Sequence, residues 1–206
     1  MVKEGYPFLL AGLLLAVPFL VWGGPWGLLA LSIPFYVVWF FRNPRRVPPS
    51  DEKSLLSPAD GKIIFVGEVE EQRYLEKKMQ KVSIFMSPVD VHVNRIPITG
   101  QIKGIYYNKG KYFSAFKEKA SLDNEQNAVS MESTGGYPIL FVQIAGFLAR
   151  RIVCYLKVGD NVRRGERYGL IRFGSRMDVY MPTDFKLTVN LGERVRGGET
   201  ILGRLL

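Results

Sequence analysis

The chain has 206 residues, one cysteine, one histidine and a formal net charge of +9. That length supports one domain with a real core, or a small domain plus an anchor. One cysteine excludes an internal disulfide framework, in keeping with a reducing compartment. One histidine and one cysteine cannot supply the usual zinc set, so no metal is expected. The basic balance admits nucleic acid as a partner, but no recognition helix, zinc spacing or aromatic RNA-binding motif is present, and none is expected.

Residues 5–41 contain no Asp, Glu, Lys or Arg. Gly23, Gly24 and Pro25 divide this stretch into two apolar halves, 8–22 and 26–41. Each is shorter than the roughly 20 residues that cross a bilayer comfortably. The pattern predicts a hydrophobic helical hairpin, either two short spans or a re-entrant pair, with Trp22, Trp26, Tyr36 and Trp39 at the interfaces. A signal peptide fits poorly, because its apolar region is shorter and ends in a small-residue cleavage site. Lys3 precedes the stretch, and Arg42, Arg45 and Arg46 follow it. A hairpin puts both flanks on one side, and the excess of positive charge makes that side cytoplasmic. Lys3 and Glu4 cancel, so the net charge lies after residue 41 and suits an anionic lipid surface.

Residues 42–53 are Pro-rich and charged, and read as a linker between an anchor at 1–41 and a domain at 54–206. Beyond it, 63–69, 82–86, 100–107, 139–144, 152–156 and 177–181 are short, β-branched or aromatic, and bounded by Gly, Pro or Asp. They predict strands. Helical periodicity is weak and best at 113–120. Residues 159–166 (GDNVRRGE) repeat as 192–199 (GERVRGGE). Such glycine-punctuated turns resemble those of biotinyl and lipoyl carrier domains, flattened barrels of two similar halves. The fold class expected is therefore mainly β, a compact barrel or sandwich behind an N-terminal helical hairpin. The repeat copies flank Ser175. Cys154, in Ile152-Val153-Cys154-Tyr155-Leu156, reads as a small core residue.

Phe173-Gly174-Ser175-Arg176-Met177-Asp178 opens the last predicted strand. It is not a G-x-S-x-G nucleophile elbow, since Phe173 and Met177 occupy the glycine positions. A Gly-Ser bond at a strand entry is usually a plain turn; its chemical use is self-cleavage, with the serine hydroxyl attacking the preceding carbonyl. Three further motifs precede it: Ser57-Pro58-Ala59-Asp60-Gly61, Met86-Ser87-Pro88-Val89-Asp90-Val91-His92-Val93-Asn94-Arg95, and Asn124-Glu125-Gln126-Asn127. Taken alone, the first reads as a turn and the third as a polar loop. His92 follows Asp90 by two residues, so both can share a strand face, and an imidazole is the natural base near neutral pH.

In this order the four motifs resemble the short form of the phosphatidylserine decarboxylases, from about Phe40 to the C-terminus. The resemblance implies cleavage between Gly174 and Ser175 into chains 1–174 and 175–206, and a pyruvoyl cofactor made from Ser175. It implies a processing triad of Asp60, His92 and Ser175, with the aspartate orienting the imidazole. Longer members carry D-x-H-x-x-H, whose second histidine is Arg95 here. Either His92 serves both processing and proton transfer, which is the favoured reading, or the short form cleaves differently. Arg95, Asn124, Glu125 and Asn127 take substrate-binding roles. The basic, aromatic run of Lys109, Lys111, Lys117, Tyr106, Tyr107, Tyr112, Phe113 and Phe116 either rests on headgroups or packs a solvated loop.

The implied activity is conversion of phosphatidylserine to phosphatidylethanolamine and CO2 at the inner membrane, with the catalytic domain cytoplasmic. The implied partners are the anionic lipid, the membrane and the two cleaved chains as a heterodimer, with a higher oligomer left open. An ether-linked archaeal phosphatidylserine analogue is an alternative substrate. A non-catalytic, membrane-tethered adaptor of biotinyl-like fold is the alternative from another class; a carrier would need a lysine at the hairpin tip, where Ser175, Arg176 and Met177 stand.

Overall fold

The computed structural model describes residues 1–23, 25–110, 124–146, 151–172 and 175–205. Two compact units divide at Arg45/Arg46. In the first, a 3-10 turn at Lys3–Gly5 leads into helix α1 (Tyr6–Trp22), followed by α2 (Pro25–Ala30) and α3 (Ser32–Phe40). Pro34 explains the break between α2 and α3. It lacks the N–H that would bond to Ala30, and its ring crowds that carbonyl. The helix starts earlier than the predicted 8–22, so Lys3–Trp22 gives 20 residues apolar enough to cross a membrane by length and composition. Gly12 and Ala16 are the buried residues of α1. A Cβ on Gly12 would stand 3.5 Å from Pro34, so a small residue is what lets these helices approach. Large side chains point outward instead, with Trp22 89% exposed and Leu28 76%. Such a continuous apolar surface marks a contact with membrane or protein.

The second unit is β. Its strands are β1 (Ser54–Leu56), β2 (Gly61–Glu71), β3 (Lys77–Met86), β4 (Val93–Arg95), β5 (Gly100–Asn108), β6 (Gln126–Ser133) and β7 (Pro138–Ala145). They continue as β8 (Ile152–Cys154), β9 (Asn161–Val162), β10 (Arg167–Ile171), β11 (Ser175–Met181), β12 (Phe185–Leu187), β13 (Arg194–Val195) and β14 (Ile201–Leu205). One antiparallel sheet of eight strands, ordered β13-β2-β3-β11-β7-β6-β5-β9, curls into a half-barrel. Two three-stranded sheets, β1-β14-β12 and β4-β10-β8, complete the unit. Their Leu55, Phe185, Leu202, Tyr168 and Ile171 share one core with Ile84, Met86, Phe141, Met177 and Val179 of the large sheet. Alternation along β11 explains the layering. Met177, Val179 and Met181 face this core, whereas Arg176 and Asp178 pair on the other face at 2.6 Å, where Lys81 joins Asp178 at 3.1 Å.

Each of the six predicted strands lies within or overlaps an observed one, and 152–156 shortens to Ile152–Cys154. Strands β1, β4, β6, β9, β10, β12, β13 and β14 have no predicted counterpart, and β6 is the longest of them. Its residues are almost all buried, yet Gln126, Asn127 and Ser130 give it a polar look. The predicted helix at 113–120, with Lys111, Tyr112, Phe113, Phe116 and Lys117, lies outside the described residues.

The repeat at 159–166 and 192–199 is structural. Gly159 N–H donates to Ile102 O at 2.8 Å, and Gly192 N–H to Ile63 O at 2.9 Å. Ile102 N–H and Ile63 N–H return bonds to Asp160 O and Glu193 O, both at 2.9 Å. β9 then pairs with β5 as β13 pairs with β2. Gly159 and Gly192 both have φ near +90°, the left-handed region that glycine tolerates. Each half also holds a glycine at a close strand crossing. A Cβ on Gly61 would lie 2.2 Å from Phe85 O, and one on Gly100 2.1 Å from Glu132 O. Gly100→Ala should therefore destabilise the unit by at least about 2 kcal/mol. Thermal unfolding checks this, against a Gly136→Asn control in an open turn, where asparagine tolerates the positive φ.

Candidate active site

Antiparallel order brings distant motifs to one end of the large sheet. Asp60 directly precedes β2, which begins opposite the end of β3. The end of β3, the start of β11 and the end of β7 then lie side by side, because Ser175 pairs with both Met86 and Ala145. The start of β6 follows, with Gln126 opposite Ile144, and then the end of β5, with Asn108 opposite Gln126. Residues about 115 positions apart in sequence thus share one rim, at roughly 4.8 Å per strand.

Ser175 is fully buried, and its hydroxyl donates to Met86 Sδ at 3.3 Å. By alternation it faces the core side with Met177. Gly174, the other half of the expected cleavage site, lies outside the described residues. His92 is 1% exposed, with Nδ1 3.0 Å from Asp90 O. A carbonyl only accepts, so Nδ1 is the donor here, and Nε2 is the nitrogen that a neutral imidazole would use as a base. The carbonyl of His92 accepts from Ile171 N–H at 3.3 Å. Ile171 ends β10 and precedes Ser175 by four positions in the sequence.

Asp60 is held elsewhere. Arg46 Nη2 donates to Oδ2 at 2.6 Å and Gly197 N–H to Oδ1 at 2.7 Å. Burial pushes the Asp60 carboxyl up from its ordinary value, while the Gly197 N–H and the Arg46 charge pull it back. The Gly197 bond has a counterpart in the other half of the repeat, where Arg164 N–H donates to Thr99 Oγ1 at 3.2 Å. Asp60 thus occupies a turn position with a structural task, and Arg46 engages its second oxygen. Asp90 accepts from Ser87 N–H at 2.9 Å and from the Ser87 hydroxyl at 2.7 Å, and pairs with Arg194. Its side chain closes its own turn, and its carbonyl orients His92.

Arg95 donates from Nη1 to Gly165 O at 2.9 Å. Burial, then the neighbouring Arg46, lowers its pKa; Asp60 and Glu199 oppose this. Arg95 therefore sits with Asp60 at the repeat turn. Arg46, read from sequence as part of a membrane-flanking cluster, instead has a side chain only 9% exposed, paired with Asp60 and with Glu199 at 2.9 Å.

A line of buried amides underlies Ser175. Asn127 Nδ2 donates to Gln143 Oε1 at 3.1 Å, and Gln143 Nε2 to Asn94 Oδ1 at 2.9 Å. Asn94 Nδ2 reaches Met86 Sδ at 3.9 Å, the sulfur that also receives the Ser175 hydroxyl. Asn124 Nδ2 donates to Ala145 O at 2.7 Å, bracing the strand beside Ser175. Glu125 accepts the Tyr107 hydroxyl at 2.7 Å on Oε1. Burial pushes the Cys154 thiol up, which keeps it protonated and a poor nucleophile. Sequence alone gives Asn94 and Gln143 no site role, places Tyr107 in a run that either rests on headgroups or packs a loop, and places Arg46 in a membrane flank. The signal for the amides was available: Gln143 is the one polar side chain in Pro138–Ala145, and buried amides require partners.

A curled, mainly β unit that buries a serine at a strand entry beside a layer of bonded amides is the class the fold defines. The family model for phosphatidylserine decarboxylase matches residues 35–203. A phosphatidylserine decarboxylase proenzyme of Geotalea uraniireducens is 47% identical over 206 residues, covering 98% of this chain and 95% of the relative. That of Syntrophotalea carbinolica is 48% identical over 204 residues, with the same coverage. That of Geobacter sulfurreducens is 44% identical over 208 residues. The chain belongs to the phosphatidylserine decarboxylase family.

Replacing Gln143 by Leu strands the Asn94 carbonyl and the Asn127 amide in the interior. Each orphaned group costs about 1–3 kcal/mol. Denaturant unfolding should show a loss of about 2–4 kcal/mol for Gln143→Leu.

Proposed function

We propose that this chain is a self-cleaving proenzyme that becomes a decarboxylase of phosphatidylserine, releasing phosphatidylethanolamine and CO2. The observation that carries this is the position of Ser175, fully buried and paired on both sides at the rim where the other motifs meet. In processing, His92 Nε2 takes the proton of the Ser175 hydroxyl as the oxygen attacks the Gly174 carbonyl. Asp60 contributes through the turn it holds with Arg46 and Gly197.

Cleavage leaves the two chains joined. The small chain would carry β11 to β14, and β11 pairs with β3 and β7, β13 with β2, and β14 with β1. A heterodimer therefore persists without a covalent link. A pyruvoyl group at residue 175 would supply a ketone that binds an amine and takes up the electron pair left by departing CO2. The position suits it, because Met86 and Ala145 flank it and the Asn94–Gln143 amides lie behind. His92 returns a proton to the substrate α-carbon, and Arg95 attracts the anionic headgroup. Burial of the site excludes water, which favours loss of a carboxylate as neutral CO2. The apolar helices of residues 1–41 hold the enzyme at the inner membrane, with the catalytic unit cytoplasmic.

Intact mass of the purified protein tests the cleavage. Wild type should give two chains meeting at Gly174/Ser175, and Ser175→Ala one full-length, inactive chain. A single intact wild-type polypeptide that releases CO2 would refute the reading. His92→Ala should slow both cleavage and CO2 release, by about 10²-fold or more; gels and CO2 assays on the same samples measure the two steps. A chain lacking residues 1–41 should still cleave itself but turn over bilayer lipid poorly, which vesicle and soluble-substrate assays compare directly.

A further inference from the structure

Glu125 is 3% exposed, and Oε2 accepts no hydrogen bond. Among the described residues it is the one carboxylate oxygen in that condition. Burying an unsatisfied charged group is costly, so such an oxygen needs an explanation. Its position supplies one. The Glu125 carbonyl accepts from Ala145 N–H at 2.9 Å, and Ala145 is the strand partner of Ser175. Two strand spacings, about 10 Å, therefore separate the Glu125 and Ser175 backbones. Tyr107 is the strand partner of Asn127, whose amide joins the layer behind Ser175, and the Tyr107 hydroxyl reaches Glu125 Oε1. The carboxylate thus lies on the Ser175 side of the sheet.

The amides around it are engaged. Asn124 Nδ2 is held by Ala145 O, Asn127 Nδ2 by Gln143, and Gln143 Nε2 by Asn94. An ionised carboxylate only accepts, so the missing partner is an N–H or O–H donor, and a cation suits it best. No group of three or more His, Cys, Asp or Glu among the described residues could make this a metal site. The serine headgroup offers one ammonium beside two anions, its carboxylate and its phosphodiester.

We propose that Glu125 Oε2 receives the ammonium of the phosphatidylserine headgroup and takes one proton from it; this rests on the decarboxylase reading above. One N–H bond breaks, one O–H bond forms, and nitrogen keeps the electron pair with no change of oxidation state. The step is needed because an ammonium has no lone pair to offer a carbonyl. Tyr107, bonded to Oε1, fixes the carboxylate so that Oε2 points at the incoming nitrogen. The negative charge also repels the substrate carboxylate, so the headgroup enters nitrogen first. Glu125 therefore selects amine headgroups over hydroxyl ones.

Glu125→Gln keeps the size and the Tyr107 contact and removes the charge. In the self-cleaved, full-length enzyme in detergent micelles, wild type should bind phosphatidylethanolamine more tightly than phosphatidylglycerol. The variant should lose about tenfold or more for the first and little for the second. Its kcat/KM for phosphatidylserine should fall near neutral pH and recover as pH rises, because alkaline solution deprotonates the amine without help. Unchanged headgroup preference together with an unchanged pH profile overturns the proposal. Where Glu125→Gln does not cleave, the binding comparison is made in full-length Ser175→Ala with and without Glu125→Gln, and equal preference there also overturns it. Failure of wild type to decarboxylate phosphatidylserine would instead refute the underlying function.

Discussion

Double-sided pairing of β11 is the constraint on which the rest depends. Seven residues of this strand are in register with β3, and six of them also with β7. A strand held on both edges cannot slip, because a one-residue shift would send Met177 and Val179 out of the core and Arg176 and Asp178 into it. Ser175 is the first residue so fixed. Its Cα therefore has a set place at the sheet rim before any side chain is considered. Antiparallel order does the remainder by alternating starts and ends of strands, which delivers the other motifs to the same rim.

The interior beneath that rim is polar where a β core is ordinarily apolar. Asn94, Gln143 and Asn127 form a line of amides, each bonded to the next. Buried amides are tolerable when satisfied and expensive when not, so such a line holds its geometry firmly. Gly169 belongs to this arrangement, since a Cβ there would stand 3.2 Å from Gln143 Nε2 and 2.1 Å from Val153 O. Within this satisfied layer Glu125 Oε2 stands out as unsatisfied.

The internal repeat shows how one half of a symmetric scaffold acquires an added task. Thr99 and Asp60 hold equivalent turns through Arg164 N–H and Gly197 N–H. A hydroxyl is enough for the first. The carboxylate in the second half adds a negative charge, answered by Arg46, and Arg46 also pairs with Glu199. Arg95 sits beside them with its pKa lowered, chiefly by burial. Charge is therefore concentrated at one of two otherwise matching turns, the one that adjoins the start of β2.

Period-two alternation and turn residues made most long strands legible in the sequence, and the absence of charge over residues 5–41 made the apolar helices legible. The glycine repeat was readable because left-handed turns leave few residue choices. β6 was not readable, since its buried polar side chains resemble a loop until their partners are known. The candidate site residues were recognisable as motifs, but not their neighbours. No local pattern links Gln143 to Asn94, or Tyr107 to Glu125, because each contact spans many residues and arises only when strands align. Arg46 illustrates the same limit: local charge reads as a membrane flank, and only tertiary packing sets it against Asp60. The sequence by itself determined that the chain is mainly β, where most of its longer strands run and which helices are apolar, and it marked candidate residues for chemistry. The tertiary structure decided which polar groups satisfy one another and which oxygen remains open, because hydrogen bonds are paired across strands rather than along them.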